Sequence, residues 1–95
     1  MLFIANWKMF GDLKAVNTIK KVIKFSKKPR YKKASIVYCP PYTLIDKFIK
    51  ITKNSKIKIG AQNCHHSQNP GPFTGSVNVD LIKSIGAEYV IIGHS

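Results

Sequence analysis

The stretch "SIVYCPPYTLIDKFIKITKNSKIKIGAQ", Ser35 to Gln62, decides the fold. Its first five residues, "SIVYC" from Ser35 to Cys39, are dominated by Ile, Val and Tyr and read as a strand. After Pro40 and Pro41 the apolar residues Leu44, Ile45, Phe48 and Ile49 recur at i, i+4, which requires a helix. "IKIGAQ", Ile57 to Gln62, returns to a strand pattern. The unit is strand, helix, strand.

The same alternation extends in both directions. Upstream, "LFIAN" (Leu2 to Asn6) reads as a strand, and a helix is expected from about Asp12 to Ser26. Leu13, Val16, Ile19, Val22 and Ile23 form its apolar stripe, with Asp12 suited to its start and Lys27, Lys28 and Pro29 to its end. Downstream, a short helix is expected over Val79 to Ile85, closed by Gly86 as a left-handed cap, followed by the strand "YVIIG", Tyr89 to Gly93. Strands alternating with helices imply a parallel sheet joined by right-handed crossovers. The near-continuous apolar runs suit strands covered by helices.

Bulk properties narrow the function. The chain has 95 residues, 44% of them hydrophobic, enough for one small domain and too apolar for disorder. Its apolar runs are far shorter than a membrane span, no secretory signal is expected, and a reducing cytoplasm is the default location. Cys39 and Cys64 lack the spacing of a disulfide framework or zinc site. Sixteen Lys plus Arg against four Asp plus Glu give a net charge of +12, which attracts polyanions. Only Arg30 is not lysine, and the cations follow helix-patterned segments, so they read as solvated faces and nucleic-acid binding is disfavoured.

Parallel βα units present their strand C-termini at one edge, where ligands bind. That rim collects Asn6, Trp7, Lys8, Cys39, Pro40, Gln62, Asn63, His94 and Ser95. Curling the sheet toward a barrel lets Lys8 and His94 face one small ligand, and a cation beside a histidine suits an anionic substrate that gains charge during reaction. Cys39 reads as a small buried hydrophobe rather than a nucleophile. The connection "NCHHSQNPGPFTGSVN", Asn63 to Asn78, is long enough to suggest function. Its Cys64, His65 and His66 are adjacent and converge poorly on a metal, so no metal site is expected.

"NWKM" after the first strand, "GAQN" at the third, "FTG" in the long loop and "YVIIGHS" at the fourth closely resemble the triosephosphate isomerase family, in the same order. The resemblance implies an α/β chain forming the first half of a (β/α)8 TIM barrel. Residues 1–95 would be the N-terminal part of one barrel domain, cut after the fourth strand. It implies interconversion of dihydroxyacetone phosphate and glyceraldehyde 3-phosphate through an enediolate, with no cofactor. Lys8 and His94 resemble the family's catalytic lysine and histidine, and Asn6 and Lys8 its substrate-binding pair. Gln62 and Ser95 would support them, and Trp7 would pack the barrel floor.

Phe73, Thr74 and Gly75 resemble the tip of the loop that makes the family's homodimer. Ser76 stands where the family commonly has glutamate, and Phe10 where asparagine is common. Asp12, Asp46, Asp80 and Glu88 are poorly placed to be the carboxylate base, which the family carries in its second half. The 95 residues alone are therefore expected to be inactive and, with apolar strand edges uncovered, to aggregate. Two alternatives stand beside this reading: a non-catalytic remnant, and a basic half-barrel that binds nucleic acid.

Overall fold

Strand β1 (Leu2–Asn6) leads the chain, followed by α1 (Val16–Ser26), β2 (Ser35–Cys39), α2 (Tyr42–Thr52), β3 (Lys58–Ala61), α3 (Val79–Ser84) and β4 (Tyr89–Val90). This architecture comes from a computed structural model that describes residues 2–12, 15–67 and 69–93. The four strands lie in the order β1-β2-β3-β4, every neighbouring pair parallel, so each helix is a crossover between adjacent strands. The expected order of elements is observed.

Register divides the sheet into two faces. Leu2 through Asn6 pair residue by residue with Ser35 through Cys39, Val37 pairs with Lys58, and Gly60 with Tyr89. Side chains alternate along a strand, so Ile36, Tyr38, Ile59 and Ala61 share the helix-covered face. There Ile59 and Ala61 pack with Leu44, Ile45 and Phe48 of α2, Ile19 of α1 and Ile82 of α3. Phe48 is fully buried, worth roughly 1.5–3 kcal/mol relative to an exposed ring. The opposite face carries Ile4, Val37, Cys39 and Gly60. A Cβ at Gly60 would come within 2.9 Å of both the Cys39 sulfur and the Tyr89 Cβ, so only glycine admits the close approach of β2, β3 and β4.

The helices follow their apolar stripes, with differences at the ends. The α-helical part of α1 opens at Val16 rather than Asp12; Asp12 contributes its carbonyl, which accepts the Ala15 N–H at 3.0 Å. Leu13 of the expected stripe lies outside the described residues. Pro29, expected only to end α1, also opens a 3-10 turn, Pro29–Tyr31. In α2 the Thr52 hydroxyl donates to the Phe48 carbonyl at 2.8 Å, which satisfies a polar group inside the core.

With six residues, α3 is too short to be stable by itself and depends on its ends. The Asn78 Oδ1 accepts the Leu81 N–H at 3.0 Å, capping the start. At the other end the Gly86 N–H donates to Lys83 and the Ala87 N–H to Ile82, the paired bonds of a Schellman motif. Gly86 has φ +105°, as that motif requires and as expected, while the helix stops at Ser84 rather than Ile85. Strands β3 and β4 are shorter than the apolar runs that announce them. Pairing continues through the Glu88 N–H to Ile59 and the Ile91 N–H to Ala61, both 2.9 Å.

Candidate active site

The chain leaves β1 at Asn6 and turns at once. The Trp7 N–H still donates to the Cys39 carbonyl at 3.0 Å, carrying the pairing one residue past the strand. Its ring meets Phe48 edge-on at 5.3 Å and Tyr38 at 5.8 Å. Trp7 therefore packs between sheet and α2 beside the strand C-termini, not on the barrel floor, because its odd position puts it on the face of Phe3 and Ala5.

With Trp7 anchored, Lys8 has to reverse direction. Its φ is +55°, the left-handed region that costs a side-chain-bearing residue about 1–2 kcal/mol. Two contacts hold it there. The Lys8 N–H donates to the Asn6 Oδ1 at 2.8 Å, closing an Asx turn. From the end of β3, the Gln62 Nε2 donates to the Lys8 carbonyl at 2.5 Å and to the Cys39 carbonyl at 2.9 Å. Gln62, far along the chain, thus ties the Asn6–Lys8 turn to the Cys39 carbonyl of β2.

Their side opens on a pocket of about 320 Å³ lined by Lys8, Met9, Pro41, Tyr42, Gln62 and Asn63. The Tyr42 hydroxyl donates to the Asn63 carbonyl at 2.5 Å and also reaches the Asn63 Oδ1. Burial pushes the Tyr42 phenol up, with a smaller contribution from neighbouring Cys64, so the hydroxyl keeps its proton. Tyr42 and Met9 were not among the residues the sequence singled out. The signal for Tyr42 was present: it is the first helical residue after Pro40 and Pro41, hence at the C-terminal edge of β2. Burial likewise raises the Cys39 thiol, which fits its reading as a packed hydrophobe.

This rim presents an exposed ammonium with amide and phenol groups around it, a set that binds an anion and polarises an oxygen. Among the described residues no carboxylate lines it: Asp46 pairs with Lys50, and Glu88 with Lys58. Proton abstraction at carbon would need a group from elsewhere. His94 and Ser95, the other two expected site residues, lie outside the described residues.

The long connection is closed at its base, where the His65 N–H donates to the Val77 carbonyl at 2.6 Å. The His65 ring stacks on His66 at 4.3 Å and lies 4.4 Å from Phe73. Beyond it Phe73, Thr74, Gly75 and Ser76 form an exposed tip. Among the described residues no cluster of His, Cys, Asp or Glu suited to a metal is found. No helix described is long and apolar enough to cross a membrane.

Comparison with known proteins points one way. The family model for triosephosphate isomerase matches residues 1–95. Triosephosphate isomerase of Aquifex aeolicus (strain VF5) is 38% identical over 95 residues, covering 99% of this chain and 37% of that protein. The enzyme of Wolbachia sp. subsp. Brugia malayi (strain TRS) is 41% identical, with 99% and 38% covered. The crystal structure of triosephosphate isomerase from Bartonella henselae superposes with a TM-score of 0.87 at 31% identity, over 99% of this chain and 38% of that one. The chain spans little more than a third of the length of these relatives, and its four strands match the N-terminal half of their barrel. The order of strands, the turn that presents Lys8 and the match along all 95 residues agree: this chain belongs to the triosephosphate isomerase family.

Proposed function

We propose that these 95 residues supply one half of the active site of a triosephosphate isomerase, which interconverts dihydroxyacetone phosphate and glyceraldehyde 3-phosphate through an enediolate. The observation that carries this is Lys8, held in a left-handed turn at the rim by Asn6 and Gln62. In this reading the Lys8 ammonium holds the substrate's anionic group and the developing enediolate oxygen, and Asn6 fixes the turn and binds substrate. His94 polarises the carbonyl and moves protons between the two oxygens. Gln62 fixes the Lys8 main chain, and Ser95 steadies the carboxylate base before the site closes.

That base comes from chain outside the 95 residues, so they are inactive without it. The reaction moves protons between adjacent carbons and needs no redox group or metal. Phe73, Thr74 and Gly75 reach a second copy in a homodimer, and the enzyme works in the cytoplasm. The test uses the intact protein isolated from its source. Lys8→Met and His94→Gln should each lower kcat/KM for triose phosphate by about 100-fold or more, while the melting temperature stays within a few degrees. Either variant retaining near-parental turnover would overturn the assignment. An intact product that never isomerises triose phosphate would favour the non-catalytic remnant.

A further inference from the structure

At the opposite end of the sheet, where β2 and β3 begin, the connections α1–β2 and α2–β3 enclose a second pocket of about 510 Å³. Its lining includes Lys27, Lys32 and Lys56 together with Asn54 and Ser55, and no carboxylate. The sequence around it, "KKPRYKK" from Lys27 to Lys33 and "KNSK" from Lys53 to Lys56, holds no acidic residue. Neither ion pair found among the described residues uses a lining residue: Asp46–Lys50 lies on α2, and Lys58–Glu88 sits at the start of β3, two residues after Lys56. Neighbouring cations rest on aromatic faces instead, Lys28 over Phe25 at 4.1 Å and Arg30 over Tyr31 at 5.5 Å. Lys56 is tied down: its ammonium donates to the Tyr31 carbonyl, fixing one charge at the wall.

We infer that this basal pocket binds a small, multiply phosphorylated anion. Three lysines line one cavity with no carboxylate among the lining residues, so their like charges repel and an anion between them removes that repulsion. Lysines bind phosphate as point charges on flexible stems, which suits the spread oxygens of a phosphate chain, and several cations at one cavity favour an anion carrying several charges over a single carboxylate. The volume falls in the roughly 300–1,000 Å³ range of small-molecule sites. No aromatic ring lines it, so it lacks the stacking platform of a single-strand binder. The site lies at the strand N-termini, away from Lys8, so binding there is independent of the isomerase assignment.

Inorganic triphosphate is the probe, titrated calorimetrically into the intact protein at low salt. One-to-one binding is expected, weakened about tenfold or more (about 1.4 kcal/mol) by the triple variant Lys27→Gln, Lys32→Gln, Lys56→Gln. A double variant that spares Lys56, and hence its contact with Tyr31, should show a smaller loss in the same direction. Lys8→Met should keep full affinity, which separates this pocket from the rim. The charge-matched variant Lys20→Gln, Lys47→Gln, Lys83→Gln should bind nearly as well as the parent. Equal weakening by that control would reduce the effect to net charge and overturn the inference, as would no detectable binding. A single-stranded oligonucleotide that binds the same lysines more tightly than triphosphate would also overturn it, in favour of nucleic acid.

Discussion

Replacing Gln62 with leucine, of similar size but without hydrogen-bonding groups, should separate activity from stability in an unusual way. The substitution removes two bonds from one amide, to the Lys8 and Cys39 carbonyls. At about 1 kcal/mol each their loss totals about 2 kcal/mol. The Cys39 carbonyl keeps its bond from the Trp7 N–H, so it is not left unsatisfied. With only the Asn6 Oδ1 contact left to hold it, Lys8 can leave the left-handed region, which returns about 1–2 kcal/mol of strain. Net destabilisation should therefore stay below about 1 kcal/mol, a shift of a few degrees at most.

Activity has no such compensation, because the relaxed turn carries the ammonium away from the rim. Under the proposed function, if the roughly 1 kcal/mol of the bond to Lys8 is lost from the transition state, kcat/KM for triose phosphate falls about 5-fold. The assay is steady-state isomerase turnover of the intact protein beside a urea melt of the same preparation. Leucine at position 62 with parental turnover would refute the reasoning, and so would a loss of several kcal/mol in stability with activity intact. Lys8→Gly is the converse: glycine accepts the positive φ without strain, so stability should rise by up to about 1 kcal/mol while turnover collapses.

Phe48→Ala should cost about 3–5 kcal/mol in a urea melt, since the ring is fully buried where β3, α2 and Trp7 meet; a loss under 1 kcal/mol would mean the core is packed differently. Gly86→Ala should destabilise by more than about 1 kcal/mol, because the new Cβ meets Ile49 at 3.2 Å on a backbone of φ +105°; equal stability would argue against the Schellman end. Burial raises both the Cys39 thiol, from an ordinary 9.0, and the Tyr38 phenol, from 10.0. Between ordinary and raised values the folded state holds protons that the unfolded chain has released, so stability should fall as pH rises past about 9. A melting temperature flat from pH 8 to 11 would contradict this. Expressed alone, the 95 residues should self-associate, with Leu2 50% and Ile4 54% exposed on the uncovered face of edge strand β1; a monodisperse monomer by light scattering would refute that.

The fold was legible because its signals are local and repeat. Leu44, Ile45 and Phe48 are all buried as their period demands, and Gly86 closes α3 by backbone chemistry that needs only neighbours; the Asn78 cap at its start is local too, though it was not read from the sequence. The ends of elements were less legible. Whether Ile57, Gln62 or Ile92 continues a strand depends on the partner across the ladder. β2 meets β3 through two registered pairs, Val37 with Lys58 and Tyr38 with Ile59, a register that no single run of residues encodes. The 3-10 turn at Pro29 escaped for a related reason: proline reads equally as the end of one helix or the first residue of the next turn.

The site divides along the same line. Composition and order brought Asn6, Lys8 and Gln62 to one rim, yet nothing in "NWKM" announces that Lys8 takes a conformation usually left to glycine. That strain has its origin on both sides of the residue. Trp7 is held by its ring against Phe48 and by its N–H on β2, so the backbone cannot turn before it. The Gln62 amide then captures the Lys8 carbonyl from β3, so the turn cannot relax after it. A single strand would hold the lysine loosely at its end. It is the third strand, reaching across the second, that converts a lysine near a sheet edge into a cation with a fixed root, and a fixed root is what allows a flexible side chain to stabilise charge at one point.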